Sequence, residues 1–211
     1  THKNSGPAQS RPFSFPITAA FAGLRNSLYT SRVSAHRNIY LIGPMGSGKT
    51  AVGRQLARRT GREFIDCDHE IELRTGVDVA YIFEKEGEPG FRDRDCEVIE
   101  TLSLRDCLVV ATGGGAVLSA RNRDRLRDTG IVIHLDTTVE EQLRRTGRTS
   151  HRPLLQTDDP RATLEALRTT RQPLYEAIAD YTFNTTGKRV RTVATTIART
   201  LERAGHLALH S

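Results

Sequence analysis

The residues best suited to chemistry stand together near one end of the chain, in the stretch GPMGSGKT at residues 43–50. The spacing from Gly43 to Gly48-Lys49-Thr50 fits the pattern G-x-x-x-x-G-K-[ST] of loops that cradle phosphates. Glycines let such a loop turn its backbone N–H groups inward, and the helix that follows directs its positive end at the same anion. We therefore expect this loop to bind ATP or GTP.

Lys49 and Thr50 have separate expected roles in that loop. The lysine ammonium can reach the outer phosphates, and the threonine hydroxyl can ligate a magnesium ion that bridges them. The alternative is a glycine-rich turn that arose by chance. An apolar run precedes the loop and Val52, Leu56 and Ala57 follow it at helical spacing, which favours a true phosphate site.

Two carboxylates end the next apolar run, in Asp66-Cys67-Asp68. The side-chain period of two in a strand places both carboxylates on one side and Cys67 on the other. One acid would then hold the metal through water, and the other would accept the proton of a substrate hydroxyl. The alternative for Asp68 is a helix N-cap, which explains one acid but not two.

Glycines and arginines supply the remaining candidates. Gly113-Gly114-Gly115 follows a third apolar run, where it is either an ordinary turn or a close approach of backbone to ligand. Arg92, Arg152 and Arg171 stand in unusual local sequences, although a single surface arginine is more often a solvated charge. Arg152 lies in the polar stretch 146–160, which is long enough to form a mobile lid that closes over the phosphates.

The elements that must position these groups alternate along the chain. The pattern predicts strands at 38–43, 63–67, 107–112, 131–135 and 181–185. It predicts helices near 49–60, 69–75, 78–86, 92–105, 121–128, 138–146, 160–179 and 189–204. Strands separated by helices indicate an α/β fold with a five-stranded parallel sheet covered on both faces. Ligands of such sheets bind beyond the carboxyl ends of the strands, where the candidate residues gather.

Charge and composition narrow the function classes. The net charge is +6, but residues 1–37 carry +5 of it and the remaining 174 residues only +1. This distribution argues against a nucleic-acid surface on the body. No apolar stretch is long enough for a membrane span. The three cysteines follow neither a disulfide nor a zinc spacing, so we expect reduced thiols and a cytoplasmic location. We also expect a monomer, although no residue pattern in the sequence indicates the oligomeric state.

Residues 1–37 form a basic extension with six serines, three prolines and no acid, ahead of a single domain at 38–211. We expect a disordered arm, a remnant of cloning, or a segment that resembles an organelle transit peptide. A short amphipathic piece around residues 21–24 could instead dock on the body.

Taken in order and spacing, residues 38–205 resemble the shikimate kinase family. The resemblance rests on GPMGSGKT, on DCDHEIE at 66–72, on IFEKEGE at 82–88 running into Phe91-Arg92, and on GGGAV at 113–117. The segments RPLL at 152–155 and RQPLY at 171–175 complete it. The extension lies outside the match.

The resemblance implies a three-layer P-loop kinase fold with a short mobile lid, and phosphorylation of the shikimate 3-hydroxyl by ATP with one Mg²⁺ per site. It implies catalytic roles for Asp68, Lys49 and Arg152, with Asp68 as base or as orienting group, and metal contacts from Thr50 and Asp66. Shikimate contacts fall on Asp68, Arg92, Gly114, Gly115 and Arg171. Nucleotide contacts fall on Gly46, Ser47, Gly48, Lys49, Thr50, Ala51, Arg145, Arg152 and Lys188.

Two positions depart from the family pattern. Asp95 stands where a glutamate is common, so we expect looser support of Arg92. Ala51 stands where a second hydroxyl residue is usual.

A phosphate loop is also compatible with other functions. An adenylate or gluconate kinase is disfavoured by the paired Arg and Pro-Leu segments, and a GTPase by the lack of an Asn-Lys-x-Asp segment. A nucleotide-dependent binding module that has lost catalysis is disfavoured because Lys49, Thr50, Asp66 and Asp68 are all retained.

Overall fold

The apolar runs of the sequence form five β-strands. The structure, a computed structural model, describes residues 37–147 and 157–207. The strands are β1 (Asn38–Ile42), β2 (Glu63–Asp66), β3 (Leu108–Ala111), β4 (Gly130–Asp136) and β5 (Tyr181–Asn184). They lie in the order β2-β3-β1-β4-β5, and every pairing is parallel. The predicted five-stranded parallel sheet is therefore confirmed.

Seven α-helices and one 3-10 turn connect these strands within the described residues. The helices are α1 (Lys49–Thr60), α2 (Cys67–Thr75), α3 (Val79–Ser103), α4 (Ala120–Thr129), α5 (Val139–Thr146), α6 (Pro160–Ile178) and α7 (Val190–Arg203). The 3-10 turn covers Ala116–Leu118 and was absent from the sequence prediction. In the described part of the chain, none of these helices combines the length and the apolar character needed to cross a bilayer.

The side chains of β1 point alternately to the two faces of the sheet, and each face has its own apolar core. Ile39 and Leu41 point to the face covered by α1 and α7, where they meet Leu56 and Ile197. Tyr40 and Ile42 point to the opposite face, where helices α2, α3, α4 and α6 contribute the packing residues. The central strands are enclosed on both sides because both faces carry helices. Helices, sheet and helices make the three layers expected of the fold class.

The order of the strands places the phosphate loop at the centre of one edge. The chain leaves β1 into the loop, while the neighbours of β1 are β3 on one side and β4 on the other. Connections from β1 and β3 diverge at this point, and that divergence opens a crevice at the carboxyl ends of the strands. The glycine run after β3 and Asp136 at the end of β4 therefore flank the loop.

One predicted boundary is wrong in a way that matters for the site. β2 ends at Asp66 and α2 begins at Cys67, so Asp68 lies in the first turn of a helix and not on a strand. Asp66 itself is the N-cap, because its side chain accepts a hydrogen bond from the Asp68 backbone N–H. The argument that a strand period sets both carboxylates on one side therefore fails.

The two helices predicted at 78–86 and 92–105 are joined into α3, which changes direction at Gly87. This residue has φ 70° and ψ −175°, a backbone conformation that side chains strongly disfavour. Pro89 follows in the first turn after the break, where its missing N–H costs no hydrogen bond. The predicted interruption is therefore real, but only the residues around Gly87 depart from helix.

Candidate active site

The N-terminus of α1 is left open for an anion. Its N-cap is Gly48, at φ 94°, and no side chain caps the first turn. By contrast, the N-cap side chain accepts a backbone hydrogen bond at α2, α3, α4, α5 and α6. The uncapped N–H groups of α1 and the positive end of its dipole therefore face the loop, as a phosphate site requires.

Side chains of the loop add further donors. The Lys49 ammonium lies 2.7 Å from the Gly43 carbonyl and 2.9 Å from the Pro44 carbonyl, so it is folded against the loop. Ser47 is buried, and its hydroxyl has no hydrogen-bond partner within the described residues. A buried hydroxyl in that state is suited to a ligand oxygen. Both residues lie where the nucleotide prediction puts them.

Thr50 and Asp66 form the oxygen pair expected for a metal. The Thr50 hydroxyl donates a 2.6 Å hydrogen bond to Asp66 Oδ2, next to the loop. Within residues 37–147 and 157–207, no group of three acidic, histidine or cysteine side chains is arranged so that it could hold a metal ion by itself. Mg²⁺ in kinase sites keeps several waters and takes one or two protein oxygens together with phosphate oxygens. One hydroxyl and one carboxylate therefore fit this ion.

The run Gly113-Gly114-Gly115 brings the other predicted groups together. A Cβ added to Gly113 would lie 3.0 Å from Asp68 Oδ1, and one added to Gly114 would lie 3.4 Å from the Met45 nitrogen in the loop. At Gly115 it would overlap the Arg92 guanidinium. The acid, the phosphate loop and the arginine thus lie against three successive residues, most closely at Gly115, where a side chain would have to displace the Arg92 guanidinium.

Arg92 and Arg171 converge on one carboxylate. Glu88 Oε1 lies 2.6 Å from Arg92 Nη2 and 3.9 Å from Arg171 Nη2. Arg171 is only 6% exposed, and its Nε has no hydrogen-bond partner in the described chain. Two guanidinium groups that share one internal carboxylate form a pocket with the charge and geometry to bind a second one.

Asp95 is the most unusual carboxyl group of the site. It is fully buried, and neither oxygen has a hydrogen-bond partner among the described residues. Burial, and to a smaller extent the charge of Asp68, raise the pKa of Asp95 to about 7, although Arg92 opposes both effects. Arg92 forms its ion pair with Glu88 and makes no hydrogen bond to Asp95. This arrangement agrees with the expectation that an aspartate at position 95 supports Arg92 more loosely than a glutamate would.

Tyr175 connects the substrate side to the sheet. Its hydroxyl donates to the Gly114 carbonyl, and burial raises the pKa of Tyr175 to about 12, so it stays a donor. Its ring stacks on that of His134 at a centroid distance of 5.1 Å. His134 is buried, its ring nitrogens have no hydrogen-bond partner in the described residues, and burial lowers its pKa. The histidine is therefore neutral at pH 7.

An open pocket lies between the loop and α6 beside these groups. Its empty volume is about 290 Å³, part of which is open to solvent. It is lined by Pro44, Met45, Gln142, Leu164, Leu167, Arg168, Arg171, Gln172 and Tyr175. An arginine-lined space of this size suits a small anionic molecule.

Arg145 lies behind the loop rather than in front of it. Its guanidinium donates to the Gly46 carbonyl at 2.9 Å and to the Thr185 carbonyl at 2.9 Å. Ala51 is exposed in the first turn of α1, and Lys188 is exposed in the turn after β5. Arg152 and most of the predicted lid lie outside the described residues.

Sequence reasoning misses four residues of this site. Glu88 precedes Arg92 by four residues, and this helical ion-pair spacing could have identified it. Tyr175, His134 and Thr185 carry no comparable signal. Their contacts join segments more than forty positions apart in the chain, and no local pattern contains such information.

Comparison with known families agrees with this geometry. A family model described as shikimate kinase matches residues 45–202. A shikimate kinase of Vibrio campbellii is 52% identical over 166 residues, which are 79% of this chain and 96% of that protein.

Solved structures give the same result. A shikimate kinase from Acinetobacter baumannii, in complex with shikimate, has a TM-score of 0.79 and 48% identity, covering 83% of this chain and 98% of its own. A gluconokinase from Sinorhizobium meliloti has a TM-score of 0.53 and 20% identity, covering 80% and 93% of the two chains, and thus shares the fold alone.

Proposed function

This chain belongs to the shikimate kinase family, and from that premise we propose that it transfers the γ-phosphoryl group of ATP to the 3-hydroxyl of shikimate. The products are shikimate 3-phosphate and ADP. The observation that carries the proposal is the convergence of Asp68, the phosphate loop and Arg92 on three consecutive glycines. A nucleotide site and a site for a small anion therefore share one crevice.

The phosphates of ATP bind the loop and the open end of α1. When ATP binds, Lys49 leaves the Gly43 and Pro44 carbonyls and turns to the outer phosphates. Its positive charge there offsets the negative charge that develops on the phosphate oxygens during transfer. The hydroxyl oxygen of shikimate forms a bond to the γ-phosphorus as the bond to the β,γ-bridging oxygen breaks. Asp68 orients this hydroxyl and accepts its proton.

Shikimate binds on the other side of the glycine run. Its carboxylate pairs with Arg92 and Arg171, since planar guanidinium groups form paired hydrogen bonds to carboxylates. Its ring lies against Gly114 and Gly115. The Tyr175 hydroxyl holds the Gly114 carbonyl away from the ring, which fixes the surface that the substrate meets.

Kinases of this kind use a divalent metal, and we assign Mg²⁺ to the oxygens of Thr50 and Asp66, the second through water. When bound there, the ion would supply positive charge that offsets the charge of the phosphates. Asp66 also caps α2, and this bond holds its carboxylate toward Thr50.

Several finer assignments belong to the same proposal. The nucleotide is contacted by the loop and by residues around it, namely Gly46, Ser47, Gly48, Ala51, Arg145 and Lys188. Arg152 closes over the phosphates of the nucleotide. The enzyme acts as a monomer in the cytoplasm, a compartment that keeps cysteines reduced, in agreement with the absence of a disulfide among the described cysteines.

The test of the reaction is a coupled ADP-release assay with the full chain, with and without shikimate. ADP release should depend on shikimate, and gluconate and AMP should not replace it. Lys49→Ala should lose most turnover, on the order of a hundredfold or more, because the outer phosphates lose their cation. The matched control is Lys85→Ala, which removes an exposed lysine paired with Glu84. ADP release that ignores shikimate would rule the proposal out.

Arg171→Ala tests the substrate pocket separately. The variant should raise the KM for shikimate about ten- to a hundredfold, because a charged hydrogen bond contributes about 1.5–3 kcal/mol. The KM for ATP should stay within about twofold. Arg161→Ala, on the same helix but in an exposed pair with Glu140, serves as control. Unchanged shikimate affinity in Arg171→Ala would remove this residue from the assignment.

A further inference from the structure

Thr185 lies directly behind the phosphate loop, one residue beyond the end of β5. It is 2% exposed, and its Oγ1 lies 3.0 Å from the Ser47 carbonyl and 3.2 Å from the Asp136 carbonyl. The Asp136 carbonyl already accepts the Thr185 backbone N–H at 2.8 Å. A hydroxyl has one proton to donate, so the shorter contact to Ser47 receives it.

Arg145 fixes the neighbouring peptide of the loop in the same way. Its Nη1 donates to the Gly46 carbonyl, and its Nη2 donates to the Thr185 carbonyl, each at 2.9 Å. Glu141 Oε1 lies 2.7 Å from the same Nη2. Arg144 and Arg145 hold the pKa of the Glu141 carboxyl at about 2, so Glu141 stays charged and keeps the guanidinium in place.

These contacts determine where two backbone N–H groups point. A peptide unit is planar and trans, so its N–H is directed opposite to its carbonyl. With the Gly46 and Ser47 carbonyls held on the outer side, the N–H groups of Ser47 and Gly48 are directed to the inner side of the loop. The Ser47 N–H indeed lies 3.2 Å from the Pro44 carbonyl inside the loop.

Glycine makes such a restraint necessary. Gly46 and Gly48 have φ of 76° and 94°, and glycine tolerates either sign of φ at similar energy. The peptides beside them can therefore rotate at little cost unless another group holds them. A loop that rotates must be reordered when phosphate binds, and that reordering weakens the affinity.

We propose that Thr185, together with Glu141 acting through Arg145, positions the phosphate loop in its nucleotide-binding form before nucleotide arrives. This inference rests on the proposed function of the loop. The Thr185 hydroxyl thereby sets the affinity for ATP and ADP and leaves the affinity for shikimate unchanged.

The test titrates Mg-ADP into the full-length protein by calorimetry, without shikimate, for three variants. Thr185→Val keeps the shape of the side chain but leaves the Ser47 carbonyl without its donor, so ADP should bind about tenfold more weakly. Thr185→Ser keeps the hydroxyl and should bind within about twofold of wild type. Thr182→Val, at an exposed position of the same strand, is the matched control. Steady-state assays should show a raised KM for ATP beside an unchanged KM for shikimate.

The outcomes separate three explanations. Wild-type affinity for ADP in a folded Thr185→Val protein would overturn the inference. Equal rises of both KM values would also overturn it, because they would indicate general damage to the fold. If Thr185→Val does not fold, the Glu141→Gln variant tests the inference instead. This variant should bind ADP several-fold more weakly than wild type, and unchanged ADP binding would overturn the inference. Wild-type protein that binds no ADP would instead contradict the proposed function.

Discussion

At the scale of single residues, Asp95 is the carboxyl group of the site whose negative charge burial opposes most strongly. The group lies in the second half of α3 with no hydrogen-bond partner among the described residues. Burial raises its pKa from the ordinary 3.8 to about 7, and Cys67 and Asp68 on α2 and Arg92 on α3 are the other titratable groups that face it. The folded protein therefore keeps a proton on Asp95 at pH values where the unfolded chain has lost it.

This conflict predicts a pH-dependent loss of stability. Between pH 4 and pH 7 the folded state binds one more proton than the unfolded state at this residue, so the free energy of unfolding falls as pH rises. A shift of about three pKa units corresponds to at most ~4 kcal/mol across this range. Asp95→Asn does not titrate, so its melting temperature relative to wild type should rise from pH 5 to pH 7.5.

Thermal unfolding at four pH values checks the prediction. Asp93→Asn, an exposed aspartate two residues away on the same helix, should show no such trend. A constant difference between Asp95→Asn and wild type from pH 5 to pH 7.5 would mean that Asp95 titrates normally.

At the scale of elements, the break in α3 positions Arg92, for which we propose a contact with the substrate carboxylate. At the start of α3 the Val79 backbone N–H donates to Glu72 on α2, and residues after Gly87 carry Glu88 and Arg92 to the glycine run. A continuous helix could not contact α2 and also bring Arg92 to the glycine run, because its straight axis would carry one half of the helix away from the core. The change of direction depends on a conformation that only glycine adopts readily.

Gly87→Ala should therefore affect both stability and substrate binding. The strained backbone costs about 1–3 kcal/mol, which lowers the melting temperature. A shift of Arg92 should also raise the KM for shikimate several-fold, with little effect on the KM for ATP. Gly205→Ala, at φ 75° beyond α7 with open space around it, is the control. It should lower the melting temperature modestly and leave both KM values unchanged. An unaltered shikimate KM in Gly87→Ala would show that Arg92 does not depend on the break.

At the scale of the whole molecule, Arg37 joins the start of the described chain to the end of the sheet that is opposite the phosphate loop. Its Nη2 lies 2.6 Å from the Gly130 carbonyl and 3.0 Å from the Arg127 carbonyl. Its own carbonyl accepts a 2.6 Å hydrogen bond from Arg62. Arg37, which the sequence assigns to the extension, therefore belongs to the body. These contacts lie at the amino ends of β1 and β4, opposite the active site.

Arg37→Ala should separate stability from catalysis. Loss of two hydrogen bonds to backbone carbonyls should cost about 1–3 kcal/mol and lower the melting temperature by a few degrees. Both KM values and kcat should stay near those of wild type, since the sheet separates Arg37 from the crevice. Arg59→Ala, an exposed cation on α1, provides the comparison. A large fall in kcat for Arg37→Ala would indicate that the two edges of the sheet are coupled.

Much of this architecture can be derived from local patterns. The loop at residues 43–50, the five apolar runs and the helical spacings are properties of neighbouring residues, and they predicted the parallel sheet and the phosphate site. The two helices of α3 were likewise predicted to be interrupted, because Gly87, Pro89 and Gly90 disfavour helix. Boundaries were less certain, as Asp66 and Asp68 illustrate, since the same aspartate can end a strand or cap a helix.

The sequence by itself determined which chemical groups this protein has to work with: a phosphate loop, an oxygen pair suited to a metal, acids and arginines, each recognisable because its signal lies within a few residues. Only the tertiary structure decided how these groups meet. The strand order placed β3 beside β1, and this brought Gly113-Gly114-Gly115 against the loop, Asp68 and Arg92. It also placed Thr185 behind Ser47, 138 residues earlier in the chain. Such contacts depend on how the elements pack in space, and no local periodicity records that.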